Sequence, residues 1–299
     1  MRESAFQETP PVIRALPENV PTGGDFVFRY FNQIDPISTR DEGAILSKFL
    51  RVLSWKEILD HLPRSRNNCR DFKGPYEYLR YLVEQYLAIT QPDNIMRFMK
   101  YAAQLGLGNS ARPRRILDIG GGIGTFSFLC RNVYGCEVAI TSLLDEEPYH
   151  YSVVRDRLFG LERALDFNVR NPLIPDYLNG LRESGQGSGY DFVTLHSFNG
   201  HWRHLQSGEP GGAWDPHEWY GFLMNLMKML KPGGVIQVRF LTLTPSVFNE
   251  LTGMFQRRGI EILTGGLDNH GEPYQYGKNR HQVFQLLVRK NQNLPYSFD

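Results

Sequence analysis

Between residues 196 and 219 the chain concentrates groups that can move protons and hold rings: His196, His201, Trp202, His204, Trp214, His217 and Trp219. Imidazole exchanges protons near neutral pH, and indole offers a large flat apolar contact with one polar edge. His201 reads as the first choice for a base, with His196 and His204 behind it; singly, each also fits a structural or surface role. Trp202 and Trp214 read as walls for a substrate, and Tyr274, in a later loop, as part of its rim. The spacing of His196, His201, His204 and His217 matches no compact zinc pattern and no cysteine joins them, so no metal is expected.

Such groups need a second site that delivers the reactive partner, and one stretch has the composition for it. Arg114–Phe126 reads as a short apolar strand, an acid at its end, a glycine-rich turn and the opening of a helix. Glycine permits positive φ and lets a ligand lie against backbone without a Cβ. Gly120, Gly122 and Gly124, with Gly121 between, fit G-x-G-x-G, whereas a dinucleotide turn wants its third glycine or alanine at Thr125. Asp118 stands two residues before the first glycine. A helix starting near Gly124 would favour a carboxylate, and Asp118 a cation.

Acid, spacer and G-x-G-x-G resemble motif I of the class I S-adenosylmethionine (SAM) dependent methyltransferases, and weaker similarity runs from about Arg112 to Lys290. The resemblance implies SAM as cofactor and an α/β fold: a Rossmann-like seven-stranded sheet, mostly parallel with its last strand antiparallel, joined to a helical N-terminal region. It also implies that Asp118, Gly120, Gly121, Gly122 and Gly124 hold the methionine end. Where such proteins carry an acid for the ribose, this chain has Thr141 or Ser142, a departure; Asp145 is the alternative, or simply a helix start with Glu146, Glu147 and Pro148. A hydroxyl makes only part of the bidentate contact of a carboxylate. Asp166 or Asn168 would meet adenine, with Phe167 flanking the ring, unless they only form a turn before Pro172. Tyr190–His196 resembles the fourth strand, which places His196 near the methyl group, and Lys231–Gly234 resembles the turn before the fifth.

The elements that must position these residues follow from periodicity and punctuation. Residues 1–24, with Pro10, Pro11, Pro17, Pro21 and the glycines 23 and 24, resist helix and central strand and read as a flexible arm. Residues 25–111 carry apolar residues at helical spacing and read as a helical lid or dimerisation region; their tyrosine stripe at 76–86 suits a core, an interface or a lid. Ser54 with Glu57, Asp93, and Asp215 before Pro216 read as helix starts. Residues 112–299 read as the SAM-binding domain, with helices opened by the glycine turn and by Asp215, a helix at 246–258, and strands near 137–140, 163–168, 190–196, 235–240, 260–263 and 281–288.

Composition narrows the function. The 299 residues are 41% hydrophobic and carry 33 Lys and Arg against 32 Asp and Glu, so no net field draws the chain to nucleic acid or an anionic membrane. Three cysteines without C-x-x-C pairing fit a reducing, cytoplasmic setting, and no run of eighteen apolar residues suggests a membrane span. The leading expectation is methyl transfer from SAM to oxygen or nitrogen of a small-molecule acceptor, aromatic or polar, with a loop histidine as base. A non-methylating reaction on the same fold, a peptide or protein side chain as acceptor, and a non-catalytic binding protein are the alternatives. A homodimer is the alternative to a lid for the N-terminal helices.

Overall fold

The structure, a computed structural model, describes residues 41–61, 74–107, 113–142, 149–161, 165–166, 189–196, 201–203, 210–241, 243–268, 274–276, 279–281 and 283–291. Four helices come first: α1 Glu42–Val52, α2 Trp55–His61, α3 Pro75–Ile89 and α4 Pro92–Gln104. Then come β1 Arg115–Asp118, α5 Thr125–Tyr134, β2 Glu137–Ser142, the single turn α6 Tyr149–Ser152 running into a π-helical segment Val153–Leu158, and β3 Leu165–Asp166. The rest is β4 Tyr190–Leu195, β5 His201–Arg203, β6 Pro210–Ala213, α7 Pro216–Met227, β7 Leu230–Phe240, α8 Pro245–Arg257, β8 Glu261–Leu267, β9 Tyr274–Tyr276, β10 Asn279–His281 and β11 Phe284–Arg289.

Six strands form the body of a mixed sheet, in the order β2-β1-β4-β7-β11-β8, and the two-residue β3 pairs with the free edge of β2. β1 runs parallel to β2 and β4, and β4 to β7, whereas β11 is antiparallel to both β7 and β8. Alternation along each strand separates two cores. On one face Leu117, Val193, Leu195, Ile236, Val238, Phe240 and Leu286 pack against α7 and α8 through Trp219, Phe222, Leu226, Phe248 and Phe255. On the other, Ile116, Phe192, Val235 and Leu287 meet Tyr101 and Ala102 of α4, Leu105 just after it, and Phe126 and Cys130 of α5. That second face turns polar toward the carboxyl ends of the parallel strands, where Asp118, Thr194, His196, Gln237, Arg239 and Gln285 are all buried.

Helices α1 to α3 share a third core with α5 and the π-helical segment, built from Ile45, Phe49, Tyr86, Phe128, Val154 and Phe159 among others. Local signals explain most helix ends. Ser54 and Glu57 exchange bonds, as do Asp215 and Glu218 in a full capping box, and Gly135 closes α5 in the left-handed region. Asp93 is not a cap: α4 begins at Pro92, whose missing N–H suits the first turn, and Asp93 lies within that turn. The helix expected to run to Leu230 ends at Met227, and Lys231–Gly234 bulges out within β7, between Leu230 opposite Tyr190 and Val235 opposite Phe192, with Gly233 at φ 76°.

Candidate functional site

The glycine turn sits between β1 and α5, at the point of the sheet where strand connections leave in opposite directions, β2 on one side of β1 and β4 on the other. Gly122 and Gly124 have φ of 55° and 81°, in the left-handed region that other residues enter at a cost. At Gly121 space is the constraint: a Cβ there would stand 2.7 Å from both Asp118 Oδ2 and Ile140, and one on Gly124 would stand 2.5 Å from Leu161. The turn therefore tolerates neither a side chain at its centre nor one at its exit.

Two side chains hold it from the inside. Thr141, fully buried, accepts from the Gly120 N–H through Oγ1 at 3.1 Å, and its carbonyl accepts from the Gly121 N–H at 3.2 Å. Arg155, fully buried in the π-helical segment, donates from Nη1 to the Gly122 carbonyl at 3.1 Å and from Nε to Asp156 at 2.7 Å. In a trans peptide the carbonyl and the next N–H point opposite ways, so this grip turns the Ile123 N–H away from Arg155. α5 then starts at Thr125 with no side-chain cap on its first N–H groups, which leaves the positive end of its dipole for an anion.

Asp118 is 2% exposed and accepts from Ser127 Oγ at 2.7 Å and Thr194 Oγ1 at 3.0 Å. Burial raises its pKa to about 6, with the two hydroxyls opposing the shift. Its charge lies directly under the turn. Thr141, a candidate for the ribose by its place in the sequence, is instead a support of the turn, given its burial and its bond to Gly120. Ser142 ends β2 in register with Asp166 of β3, while Asp145, Phe167 and Asn168 lie outside the described residues.

His196 follows β4 and is 5% exposed, enclosed by Phe126 at 4.2 Å, Tyr101 stacked at 4.9 Å and Phe98 at 5.9 Å between ring centroids. Gln237 donates its amide to Gln104 Oε1 and to the Tyr101 carbonyl, so its own Oε1 must accept, and Nε2–H of His196 donates to it at 2.9 Å. Nδ1 is left as an acceptor, buried and without a partner among the described residues. Burial, aided by Arg239 and Arg97, lowers the pKa of His196 to about 3. As a base for holding a proton near neutral pH it is thus unsuited; it offers a neutral lone pair.

His201 and Trp202 lie on β5, which pairs antiparallel with β6 and sets His201 opposite Ala213, and Tyr274 lies on β9 opposite His281. His204 is outside the described residues. Trp214, expected as a wall for a substrate, is 2% exposed and fills the core under α7, its ring packed on Trp219 at 4.9 Å and Phe222 at 5.1 Å. Sequence reasoning missed Arg155, Tyr101, Gln237 and Arg239. For Gln237 and Arg239 a signal existed, polar residues at alternate positions of an otherwise apolar strand; Arg155 carried none.

No family model matches the sequence, and no curated protein matches it. Among solved structures, the 1,6-didemethyltoxoflavin-N1-methyltransferase of Burkholderia thailandensis, bound to 1,6-didemethyltoxoflavin and S-adenosylhomocysteine, is similar at a TM-score of 0.44 and 14% identity, over 87% of this chain and 93% of its own. An O-methyltransferase family protein from the same organism is similar at 0.43 and 13%, over 91% and 73%. A SAM-dependent methyltransferase candidate from Streptococcus mutans is similar at 0.43 and 13%, over 65% of this chain; the chain spans only about half of that protein, 49%.

Proposed function

We propose that this chain is a SAM-dependent methyltransferase that moves a methyl group to oxygen or nitrogen of a small-molecule acceptor. One observation carries the reading: glycines at 121 and 124, where a Cβ would collide, and at 122, in the left-handed region, lead into an uncapped helix directly above a buried acid, at the carboxyl end of the central strand. The residues fit the cofactor's methionine end. The N–H groups at the start of α5 would take its carboxylate, and the Asp118 charge favours its ammonium, directly or through water. When bound, SAM supplies an electrophilic methyl on sulfur.

The chain's own part is to place the acceptor in line with that methyl at about 3–3.5 Å and to take a proton where the nucleophile carries one. Neutral His196, with its tautomer set by Gln237, would accept a hydrogen bond from a ligand N–H or O–H, which orients that group without removing its proton. Removal is assigned to His201, with His204 as the second choice, and Tyr274 to the acceptor's rim. The ribose is assigned to Asp145 and Ser142, since Thr141 is engaged in the turn; adenine is assigned to Asp166, Phe167 and Asn168. Helix α4, which closes over His196, is assigned the lid.

Isothermal titration of the purified protein with S-adenosylhomocysteine tests the cofactor, with a dissociation constant in the micromolar range expected. Incubation with methyl-labelled SAM and pooled small aromatic acceptors, followed by mass analysis, tests the reaction. Absence of binding at millimolar nucleoside would refute the proposal; binding with label released but never transferred as methyl would refute the methylation alone.

A further inference from the structure

A cluster of charges at the polar end of the α4-covered face is not accounted for by the turn or by His196. Arg239, near the end of β7, donates from Nε to Asp268 Oδ2 at 2.9 Å, with side chains 8% and 0% exposed. The Tyr101 hydroxyl donates to the same oxygen at 2.5 Å. One turn earlier on α4, Arg97 adds a second guanidinium. It bonds Asn94 through Nη2 and lies 5.8 Å from the Phe98 ring, but its Nε is buried and has no partner among the described residues. Burial and the nearby Arg239 cation both disfavour its charge, against the opposing pull of Asp268 and Asp93. A charged donor left bare in a half-buried place is expensive, and structures keep such groups where something else completes them.

The cluster's position says what that is. Tyr101 stacks on His196, Phe98 lies beside it, and Phe126, which touches His196, is the second residue of α5. Arg97 therefore borders the ligand site from the side of α4, where the start of α5 already favours an anion. A guanidinium presents paired donors that match a carboxylate edge to edge.

Building on the function proposed above, we propose that Arg97, backed by Arg239, binds a carboxylate of the ligand set, carried either by the methionine end of the nucleoside or by the acceptor. The test titrates wild type, Arg97→Met and Arg97→Lys with S-adenosylhomocysteine, with 5′-methylthioadenosine, which lacks the amino-acid end, and, on nucleoside-saturated protein, with benzoate. If the carboxylate is the nucleoside's, Arg97→Met weakens S-adenosylhomocysteine about tenfold or more and leaves methylthioadenosine unchanged, and Arg97→Lys restores part of the loss. If it is the acceptor's, both nucleosides bind as before and benzoate binding seen with wild type is lost in Arg97→Met. Unchanged titrations, or equal loss of both nucleosides, overturn the assignment of Arg97 alone. If wild type binds neither nucleoside, the proposed function falls and this assignment with it.

Discussion

Replacing Asp118 by asparagine should separate stability from ligand binding. The carboxyl has a folded-state pKa of about 6 against an ordinary 3.8, with burial as the main cause. A carboxyl raised in this way helps the fold only while protonated: its contribution is fully present below pH 3.8 and is lost as pH rises through 6. Two pKa units correspond to about 3 kcal/mol, so the ionised Asp118 costs the fold roughly that much at pH 8. An asparagine in its place would be neutral at every pH and can still bond both neighbours, because the hydroxyls of Ser127 and Thr194 can rotate to donate or accept. Asp118→Asn should therefore raise the melting temperature at pH 8 by roughly 6 °C and leave it nearly unchanged at pH 4.

His196 sharpens this test. Its pKa is depressed from 6.5 to about 3, so its contribution is present above 6.5 and is lost as pH falls through that window. Between pH 4 and 6 the two slopes oppose, and the wild-type profile is flattened. Without Asp118, the His196 slope should stand alone, with stability falling visibly on acidification from pH 6.5 to 4 in urea titrations followed by circular dichroism. The same variant should bind S-adenosylhomocysteine more weakly at pH 8. A variant no more stable than wild type at pH 8 would refute the reasoning, since it would mean that the buried carboxylate is held without penalty.

Two further perturbations act on the supports of the site. Gln237→Glu places a carboxylate against the Nε2–H of His196 and should raise that ring's pKa from about 3 toward its ordinary value, read by proton and nitrogen NMR of the imidazole; an unmoved titration would dissolve the assigned hydrogen bond. Arg155→Met removes the donor to the Gly122 carbonyl and should lower S-adenosylhomocysteine affinity about tenfold, by loosening the turn, with a stability loss of about 1–3 kcal/mol in urea unfolding. Unchanged affinity would show that the turn keeps its shape without Arg155.

The glycine turn was legible in the sequence because its requirements are local: positive φ and forbidden Cβ positions restrict residue type within a few positions, and so do the caps at Ser54 and Asp215. The sheet's order and its antiparallel strand followed only through the resemblance that this motif raised. What stayed hidden depends on distant partners. Tyr101 meets Asp268 across 167 residues, and Gln237 meets Gln104 across 133. Trp214 looked like a site residue because indole suits ring binding and cores alike, and only its burial against Trp219 decides. The π-helical turn that drives Arg155 beneath the glycines leaves no mark in hydrophobic periodicity.

Three polar side chains around the turn face inward, and this shapes how a ligand would be recognised. Thr141 bonds Gly120, Arg155 bonds Gly122, and Asp118 bonds Ser127 and Thr194, so none of these three presents a free arm at the turn. Recognition there would draw on backbone N–H groups of fixed direction and on the field of nearby charges: Asp118 below, Arg155 behind, Arg239 and the half-buried Arg97 beside. Backbone donors carry no titratable proton, and His196 remains neutral near neutrality. Among the described residues at the turn, Asp118, with its pKa of about 6, changes charge in the working range. Nucleoside affinity should then weaken as pH falls from 7 to 5 in wild type and lose that dependence in Asp118→Asn, since the ammonium would lose its counter-charge as the carboxyl takes up a proton.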